Sequence, residues 1–302
     1  MVQTYESGLL RVDPDRFARD FDRLPFGYDH ELSGLDLLSF DAIRALAERY
    51  DREYFVAGSA PTPGTPFYSV TQGRFAPGEA LERLDTVPQR VLLKRPEMYD
   101  ARYGALLREL FATIVALRGG LRGERVVRLA SSILVSSAAA ITPFHFDPEI
   151  SFFFQIAGDK VYHLYTPSDL SEPELERFYT MGIVNIGQVD LAARDPRQEH
   201  VFALAAGKGM HQPQNCPHWV ETRASRSISY VFSYETDAMR AAGRTRACNY
   251  YLRRMGGNPA PPGVRPDLDR WKAAAMRAFI PARKGVAGLL PAPVRERLRA
   301  VL

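Results

Sequence analysis

Short segments rich in β-branched and aromatic residues follow one another between Arg125 and Glu235. Turn residues separate them, and only Ser171–Tyr179 interrupts them with a helical pattern. Short strands at this spacing are typical of a sandwich or a barrel. The clearest of these segments read VVRLASSILVSS, ISFFFQIA, KVYHLYTP, HVFALAAG and RSISYVFSYE. The sequence therefore predicts a mainly β core with flanking helices, in which Gly158 and Asp159 form a hairpin.

A mixed α/β lead-in is predicted before this core. It spans residues 1–124 and is expected to pack on the core, which we place at 125–237. Helices are predicted at Ser39–Tyr50 and Asp100–Leu117, because apolar residues recur there at helical spacing behind a capping residue. The segment Glu53–Ala57 is predicted to be a strand.

The remaining residues, 238–302, are predicted to be a helical extension, with helices at Leu268–Phe279 and Pro293–Leu302. This extension either caps the core or forms a homodimer. From Arg270 onward there are eight Lys and Arg residues and one acidic residue, Glu296. That excess of positive charge is typical of a solvated helical face, or of a contact with an acidic partner or another subunit.

The composition excludes several classes of protein. Hydrophobic residues are 46% and charged residues 25% of the 302, as in soluble globular proteins. The two cysteines form no CxxC pair, which argues against a disulfide framework and predicts a cytoplasmic protein. There is no signal-peptide pattern and no long apolar run, so we expect no membrane segment. Nothing resembles a helix-turn-helix or a basic groove with aromatics, so we expect no nucleic-acid partner.

His145 and Asp147 lie two residues apart in the segment ITPFHFDPEI. Strand side chains alternate between faces, so these two are expected on one side while Phe144 and Phe146 pack on the other. An imidazole and a carboxylate side by side are two ligands of a metal site. A second histidine would complete the two-histidine, one-carboxylate set that binds non-haem Fe(II).

The third ligand is sought among the other histidines. Two of them, His211 and His218, lie in GKGMHQPQNCPHWVE, which we interpret as a rigid loop that leads into a strand. We favour His218 because the strand begins there, which leaves His211 to support the ligands or face a substrate. Both could instead be loop histidines that bond to carbonyl groups. The other three, His30, His163 and His200, are expected to be structural.

Lys160 follows the predicted hairpin. A lysine that points into the core is costly unless an anion pairs with it, and a carboxylate of a bound co-substrate would supply one. Thr142, three residues before His145, would add a hydroxyl donor to that carboxylate. The alternatives are a surface hairpin lysine and a turn residue that precedes a proline.

The segment TPFHFDPEISFFFQIAGDKVYHLYTP resembles the core of JmjC-type and cupin-like Fe(II)/2-oxoglutarate oxygenases, especially their asparaginyl-hydroxylase branch. The shared features are a Thr before the first ligand, HxD, an aromatic strand ending in Q-I-x-G, and a Lys fifteen residues after the first His. The later GKGMHQPQNCPHWVE and SRSISYVFSYE resemble the glycine turn, proline loop, distal His and closing strand of that family. The resemblance implies a double-stranded β-helix, the jelly-roll or cupin barrel.

The resemblance also implies site residues. The iron ligands fall on His145, Asp147 and His218, and the 2-oxoglutarate contacts on Lys160 and Thr142. Two positions at which the branch has an Asn carry hydroxyl groups instead, Ser151 and Ser233.

The implied activity is Fe(II)- and 2-oxoglutarate-dependent hydroxylation of a C–H bond, with formation of succinate and CO₂. The substrate would be a peptide or protein side chain, or a small metabolite. The wall of the site, or simply the core, would include Phe152, Phe154, Tyr162 and Trp219.

Two alternatives stay open. The chain could be a non-catalytic cupin-type protein that binds a metal or ligand and regulates another process. It could also be a metal-dependent cupin enzyme that uses no 2-oxoglutarate, which predicts that Lys160 faces solvent.

Overall fold

The computed structural model describes residues 5–182 and 186–289. The chain divides into two compact units, the first being Met1–Asp169 with Ile186–Thr236 and the second Leu170–Asn185 with Asp237–Leu302. The strands of the first unit are β1 Tyr5–Ser7, β2 Leu10–Val12, β3 Phe26–His30, β4 Tyr54–Gly58, β5 Gln89–Lys94, β6 Val126–Ser136, β7 Ile141–Phe146, β8 Ile150–Ala157, β9 Lys160–Leu164, β10 His200–Leu204, β11 Lys208–Gln212, β12 Pro217–Thr222 and β13 Ser227–Thr236.

The strands form two antiparallel sheets. The large sheet has nine strands in the order β1-β2-β3-β11-β8-β13-β6-β5-β4, and the small sheet has four in the order β10-β9-β12-β7. Strands from both sides of residue 124 belong to the large sheet, so the lead-in and the core are parts of one unit. The mainly β class with flanking helices, predicted from the sequence, is confirmed.

The two sheets pack against each other through one apolar cluster. The large sheet supplies Phe153, Met210 and Val231 to this cluster. The small sheet supplies Tyr162 and Val220, together with other apolar residues. Burying one such side chain stabilises the fold by roughly 1.5–3 kcal/mol. We call the region between these facing surfaces the inter-sheet space.

Closure into a barrel is not confirmed. Among the described residues the two sheets share no strand, and the edges of the large sheet are the separate strands β1 and β4. The double-stranded β-helix expected from the sequence therefore stays a prediction.

Four helices flank the sheets of the first unit: α1 Pro14–Asp20, α2 Phe40–Ala47, α3 Pro77–Glu82 and α4 Ala101–Leu117. The hydroxyl of Ser39 accepts a hydrogen bond from the first turn of α2, and the carboxylate of Asp100 does the same for α4. These caps satisfy backbone N–H groups that have no partner within a helix. The two helices predicted from the sequence are therefore confirmed.

Within the residues that the structure describes, the second unit contains three α-helices, α5 Glu172–Tyr179, α6 Asp237–Arg254 and α7 Pro266–Leu289. Ion pairs join α6 to α5, since Arg246 and Arg253 each lie 2.9 Å from a glutamate of α5. The helix predicted at Leu268–Phe279 lies within α7, whereas the one predicted at Pro293–Leu302 falls outside the described residues. No helix in the described part of the chain has the length and apolar character needed to span a membrane.

The hairpin predicted at Gly158 and Asp159 is wrong, because β8 belongs to the large sheet and β9 to the small sheet. The segment between them is a turn from one sheet to the other, and this turn depends on Gly158. Its φ of +64° lies in the left-handed region, and a Cβ there would meet the carbonyl oxygen of Arg226 at 2.3 Å. We expect Gly158→Ala to lower the free energy of unfolding by about 1–3 kcal/mol, because both the strain and the clash must be relieved. Urea denaturation measures this loss. Gly64→Ala is the control, since nothing lies within 4 Å of a Cβ at Gly64; equal stability of the two variants would contradict the prediction.

Candidate metal centre

Strands β7 and β12 bring two histidines together. His145 and His218 are directly opposite each other in the antiparallel ladder, and their ring centroids are 4.2 Å apart. Asp147 follows the end of β7, and its Oδ2 lies 3.8 Å from Nε2 of His218. One ligand atom from each residue lies within 4.8 Å of the other two. The three side chains could therefore hold one metal ion.

A β-bulge in β7 positions Thr142 on the same side as this cluster. In a regular strand, residues three apart point to opposite faces. Here Pro143 and Phe144 together oppose a single residue of β12, so Thr142 pairs with Val220 while His145 pairs with His218. Proline suits this position because it has no N–H to donate to the ladder. Thr142 and His145 consequently share the face toward the inter-sheet space.

The hydrogen bonds of both imidazoles fix their tautomers. Nδ1 of His145 lies 2.7 Å from the carbonyl oxygen of Pro143, and Nδ1 of His218 lies 3.0 Å from that of Cys216. Each Nδ1–H donates to a carbonyl group two residues earlier, which leaves each Nε2 with a lone pair. Metal-binding histidines are commonly oriented by such a bond. The donor set therefore fits a divalent metal ion.

The electrostatics of the cluster fit the same ion. Burial, and then the neighbouring His218, hold the pKa of His145 well below its usual value, and burial also lowers the pKa of His218. Both rings are therefore neutral and able to bind a metal. Burial raises the pKa of Asp147, because the nearby charges of Arg128 and Lys94 offset the lost hydration of the carboxylate only in part. A divalent cation would compensate the carboxylate further.

Gln212 contacts the cluster and was missed from the sequence. It is fully buried at the end of β11, and its Nε2 donates to Oδ2 of Asp147 at 3.4 Å. Its Oε1 is buried and has no hydrogen-bond partner in the described structure. Buried amide oxygens are rarely left without a donor.

Two aromatic residues of the loop after β4 cover the cluster. The ring centroid of Phe67 lies 4.8 Å from that of His145. Tyr68 donates its hydroxyl to the carbonyl oxygen of Ile186 at 2.9 Å and remains 64% exposed. Burial, and then the charge of Asp147, raise the pKa of Tyr68. Tyr68 therefore lies on the solvent side of the cluster, where a substrate would approach.

Lys160 lies in the inter-sheet space. It pairs with Thr222 of β12 and shares a strand face with Tyr162 of the apolar cluster. The side chain is 3% exposed, and among the described residues no hydrogen bond or ion pair is formed by its ammonium group. Burial, and then the nearby charge of Arg90, lower the pKa of Lys160 to about 7. A buried ammonium without a counter-ion calls for an anion.

Ser151 and Ser233 are cross-strand neighbours in the large sheet. Ser151 pairs with Ser233 on one side and with Gln212 on the other. By alternation this row shares its face with Phe153, so it points into the inter-sheet space. Through Gln212 the row leads to Asp147.

Other residues predicted near the site lie elsewhere. Lys208–Gln212 is a strand rather than a loop, and His211 points away from the cluster. The Nε2 of His211 accepts the backbone N–H of Asp22 at 3.0 Å, and its ring stacks on Phe21. His211 is therefore a structural residue, and its neighbour Gln212 supports the ligands instead.

Three of the four aromatic wall candidates lie away from the inter-sheet space, as the alternative reading of them as packing residues predicted. Phe152 and Phe154 lie on the opposite face of β8 from Phe153 and pack against Phe232. Trp219 lies on the opposite face of β12 from His218 and stacks on His163 at 3.7 Å. Only Tyr162 faces the inter-sheet space. Strand alternation explains each case, since neighbours of an inward residue point outward.

The remaining histidines lie away from the cluster. His30 accepts the N–H of Leu32 and bonds to the carbonyl oxygen of Lys208. His163 lies 3.2 Å from Glu199, and His200 is exposed on β10.

Solved structures of known proteins have a similar fold. No protein-family model matches the chain, and no curated protein sequence matches it. The structure of Escherichia coli YcfD matches with a TM-score of 0.52 and 16% identity, over 92% of this chain and 69% of that one. YcfD, a ribosomal oxygenase, in complex with cobalt and 2-oxoglutarate matches with a TM-score of 0.51 and 17% identity, over 92% and 67%. The likeness to JmjC-type oxygenases predicted from the sequence is thereby confirmed as a likeness of fold.

Removing the amide of Gln212 tests its contact with Asp147. We expect Gln212→Leu to weaken Co(II) binding by about 10- to 100-fold, because the ligand carboxylate loses its orienting donor. Calorimetric titration with Co(II) measures the affinity. Gln198→Leu, at an exposed position, is the matched control. Equal affinities of the two variants would show that Gln212 does not support the ligands.

Proposed function

We propose that this protein is an Fe(II)- and 2-oxoglutarate-dependent oxygenase that hydroxylates a C–H bond and forms succinate and CO₂. The main support is the coexistence, within one unit, of a neutral two-histidine, one-carboxylate cluster and a buried lysine without a counter-ion. The first suits non-haem Fe(II) and leaves positions open for other ligands. The second suits the far carboxylate of a diacid bound to that metal.

In this proposal the protein residues position the reactants. Nε2 of His145, Nε2 of His218 and the carboxylate of Asp147 hold the iron, which supplies the oxygen chemistry when bound. Lys160 and Thr142 hold the far carboxylate of 2-oxoglutarate. Phe67 and the apolar cluster exclude water from the inter-sheet space, which strengthens these polar contacts.

Ser151 and Ser233 are proposed to add hydroxyl groups toward the co-substrate. Both face the inter-sheet space in a row that ends at Gln212, next to Asp147. A hydroxyl both donates and accepts, so each serine can bond to a carboxylate or to bound water.

The substrate class is proposed to be a peptide or protein side chain. YcfD, whose structure is similar, is a ribosomal oxygenase, and this favours a protein substrate here. In this chain the exposed Tyr68 beside the cluster leaves a side open to a large molecule. A small metabolite is the alternative within the same reaction class.

One competing reading is disfavoured by the position of Lys160. A metal-dependent enzyme without 2-oxoglutarate predicts that this lysine faces solvent, whereas it is 3% exposed. A non-catalytic metal- or ligand-binding protein would keep the same residues, and turnover distinguishes it from an oxygenase.

Succinate formation tests the proposed activity. We expect wild-type protein supplied with Fe(II), O₂ and 2-oxoglutarate to release succinate. In His145→Ala the rate of succinate release should be at least about 100-fold lower, because a metal ligand is gone. Liquid chromatography with mass detection measures the product. His200→Ala is the control, since His200 is exposed on β10. Binding of 2-oxoglutarate without any succinate would favour the non-catalytic alternative.

The pH dependence of co-substrate binding tests Lys160. Its pKa of about 7 in the free protein means that the ammonium is present below pH 7 and is lost as the pH rises above it. A bound carboxylate would raise this pKa again, so binding above pH 7 must take up a proton. We expect the Kd for 2-oxoglutarate to be flat below pH 7 and to rise by up to about tenfold per pH unit above it.

Calorimetry with the Co(II)-loaded protein measures this profile. In Lys160→Met the affinity should be weak throughout, and the rise above pH 7 should disappear. A rise that persists unchanged in Lys160→Met would assign it to another group.

A further inference from the structure

Arg90 lies on β5 and faces the inter-sheet space. Its partner across the ladder is Ser136 of β6, and four residues along the same face Lys94 pairs with Ser132. Ser132 in turn pairs with Val231, which packs on the inter-sheet cluster. Directly opposite residues in an antiparallel sheet point to the same face. The side chain of Arg90 therefore points toward the small sheet.

The guanidinium group of Arg90 has weak protein partners. Its Nε and a terminal nitrogen both lie 3.4 Å from the carbonyl oxygen of Gly58, which is long for a hydrogen bond. No carboxylate pairs with it within the described part of the chain. Burial lowers the pKa of Arg90 to about 10. Arg90 is half-buried, and of the five N–H donors of its guanidinium the described residues satisfy only those that reach the carbonyl oxygen of Gly58.

Arg90 also lies close to a buried cation, Lys160. Its positive charge contributes to the lowered pKa of Lys160 and to that of His145. Two like charges without an anion repel each other, and burial has cost Lys160 its hydration. An anion bound beside both groups would relieve this repulsion.

Backbone contacts bring Thr142 to the same place. Gly58, the acceptor for Arg90, is followed by Ser59, whose hydroxyl accepts the N–H of Ile141 at 2.9 Å. Ile141 is the first residue of β7 and precedes Thr142 directly. Thr142, Arg90 and Lys160 thus converge at one end of the inter-sheet space.

We propose that Arg90 is a second cationic contact for the far carboxylate of the co-substrate, and that it selects dicarboxylates over monocarboxylic 2-oxo acids. The inference rests on the proposed function. A guanidinium binds a carboxylate through two parallel hydrogen bonds, whereas the ammonium of Lys160 acts as a point charge. Arg90 and Lys160 together hold one carboxylate, with Thr142 as a neutral donor beside them.

The structural alternative is that Arg90 only holds the loop that begins at Gly58. Removing it would then destabilise the protein and weaken every ligand alike. If Arg90 instead binds the far carboxylate of the co-substrate, a different result is expected. The free protein should be about as stable in Arg90→Met, because the half-buried charge that is removed has no ion-pair partner among the described residues. Only ligands with the far carboxylate should bind more weakly.

The test measures ligand binding to the full Co(II)-loaded chain by calorimetry, without turnover. The ligands are 2-oxoglutarate, succinate and 2-oxobutyrate, which has the keto-acid end but no far carboxylate. The variants are Arg90→Met, Arg90→Lys and the control Arg44→Met, which removes an exposed arginine of α2. Thermal unfolding of each metal-free variant reports stability.

We expect Arg90→Met to weaken 2-oxoglutarate and succinate by about 10- to 100-fold and 2-oxobutyrate by less than about twofold. The diacid affinities of Arg90→Lys should fall between those of Arg90→Met and wild type. If Arg90→Met does not fold, the affinities of Arg90→Lys provide the test. Arg44→Met should match wild type.

Diacid affinities within about twofold of wild type in both Arg90 variants would overturn the inference while leaving the proposed function intact. Equal losses for all three ligands, with a lower melting temperature, would also overturn it and assign Arg90 to the loop. A wild-type protein that binds no 2-oxoglutarate would remove the proposed function and this inference together.

Discussion

The pairing of β7 with β12 is the interaction on which the candidate site depends. It sets His145 opposite His218, although the two are far apart in the chain, and it fixes their separation through backbone hydrogen bonds. Asp147 follows β7 by chain continuity. The bulge at Pro143 and Phe144 then turns Thr142 to the same side. A rigid ladder therefore holds the ligands, which is the condition for a preorganised metal site.

The second constraint is charge burial. Lys160 is buried in the inter-sheet space and Arg90 is half-buried on its wall, and the described residues provide no anion for either. A buried ammonium of this kind is costly unless a ligand compensates its charge. The same unit holds the half-buried Asp147 and two buried, neutral imidazoles. The unbalanced charges at one end and the donor set at the other are complementary to a diacid that also binds a divalent metal.

Sequence patterns predicted the strands, the flanking helices and the metal cluster. The spacing of His145 and Asp147 survives folding because alternation along one strand is local. Errors arose where alternation had to be combined with register. His211 was placed near the ligands although its neighbour Gln212 is the one that reaches Asp147. Phe152 and Phe154 were considered for the wall, and Phe153, which faces inward, was not. A one-residue shift along a strand reverses the face of every side chain.

By itself, the sequence determined the mainly β character of the chain, the types of the candidate metal ligands and the presence of a lysine after a glycine turn, since these follow from residue identity and local periodicity. The tertiary structure alone decided that Arg90 lies beside Lys160, that Gln212 supports Asp147 and that Phe67 covers His145. These contacts join strands and loops that are distant in the chain. Their positions depend on sheet order and register, which are set by packing over the whole unit rather than by any local pattern.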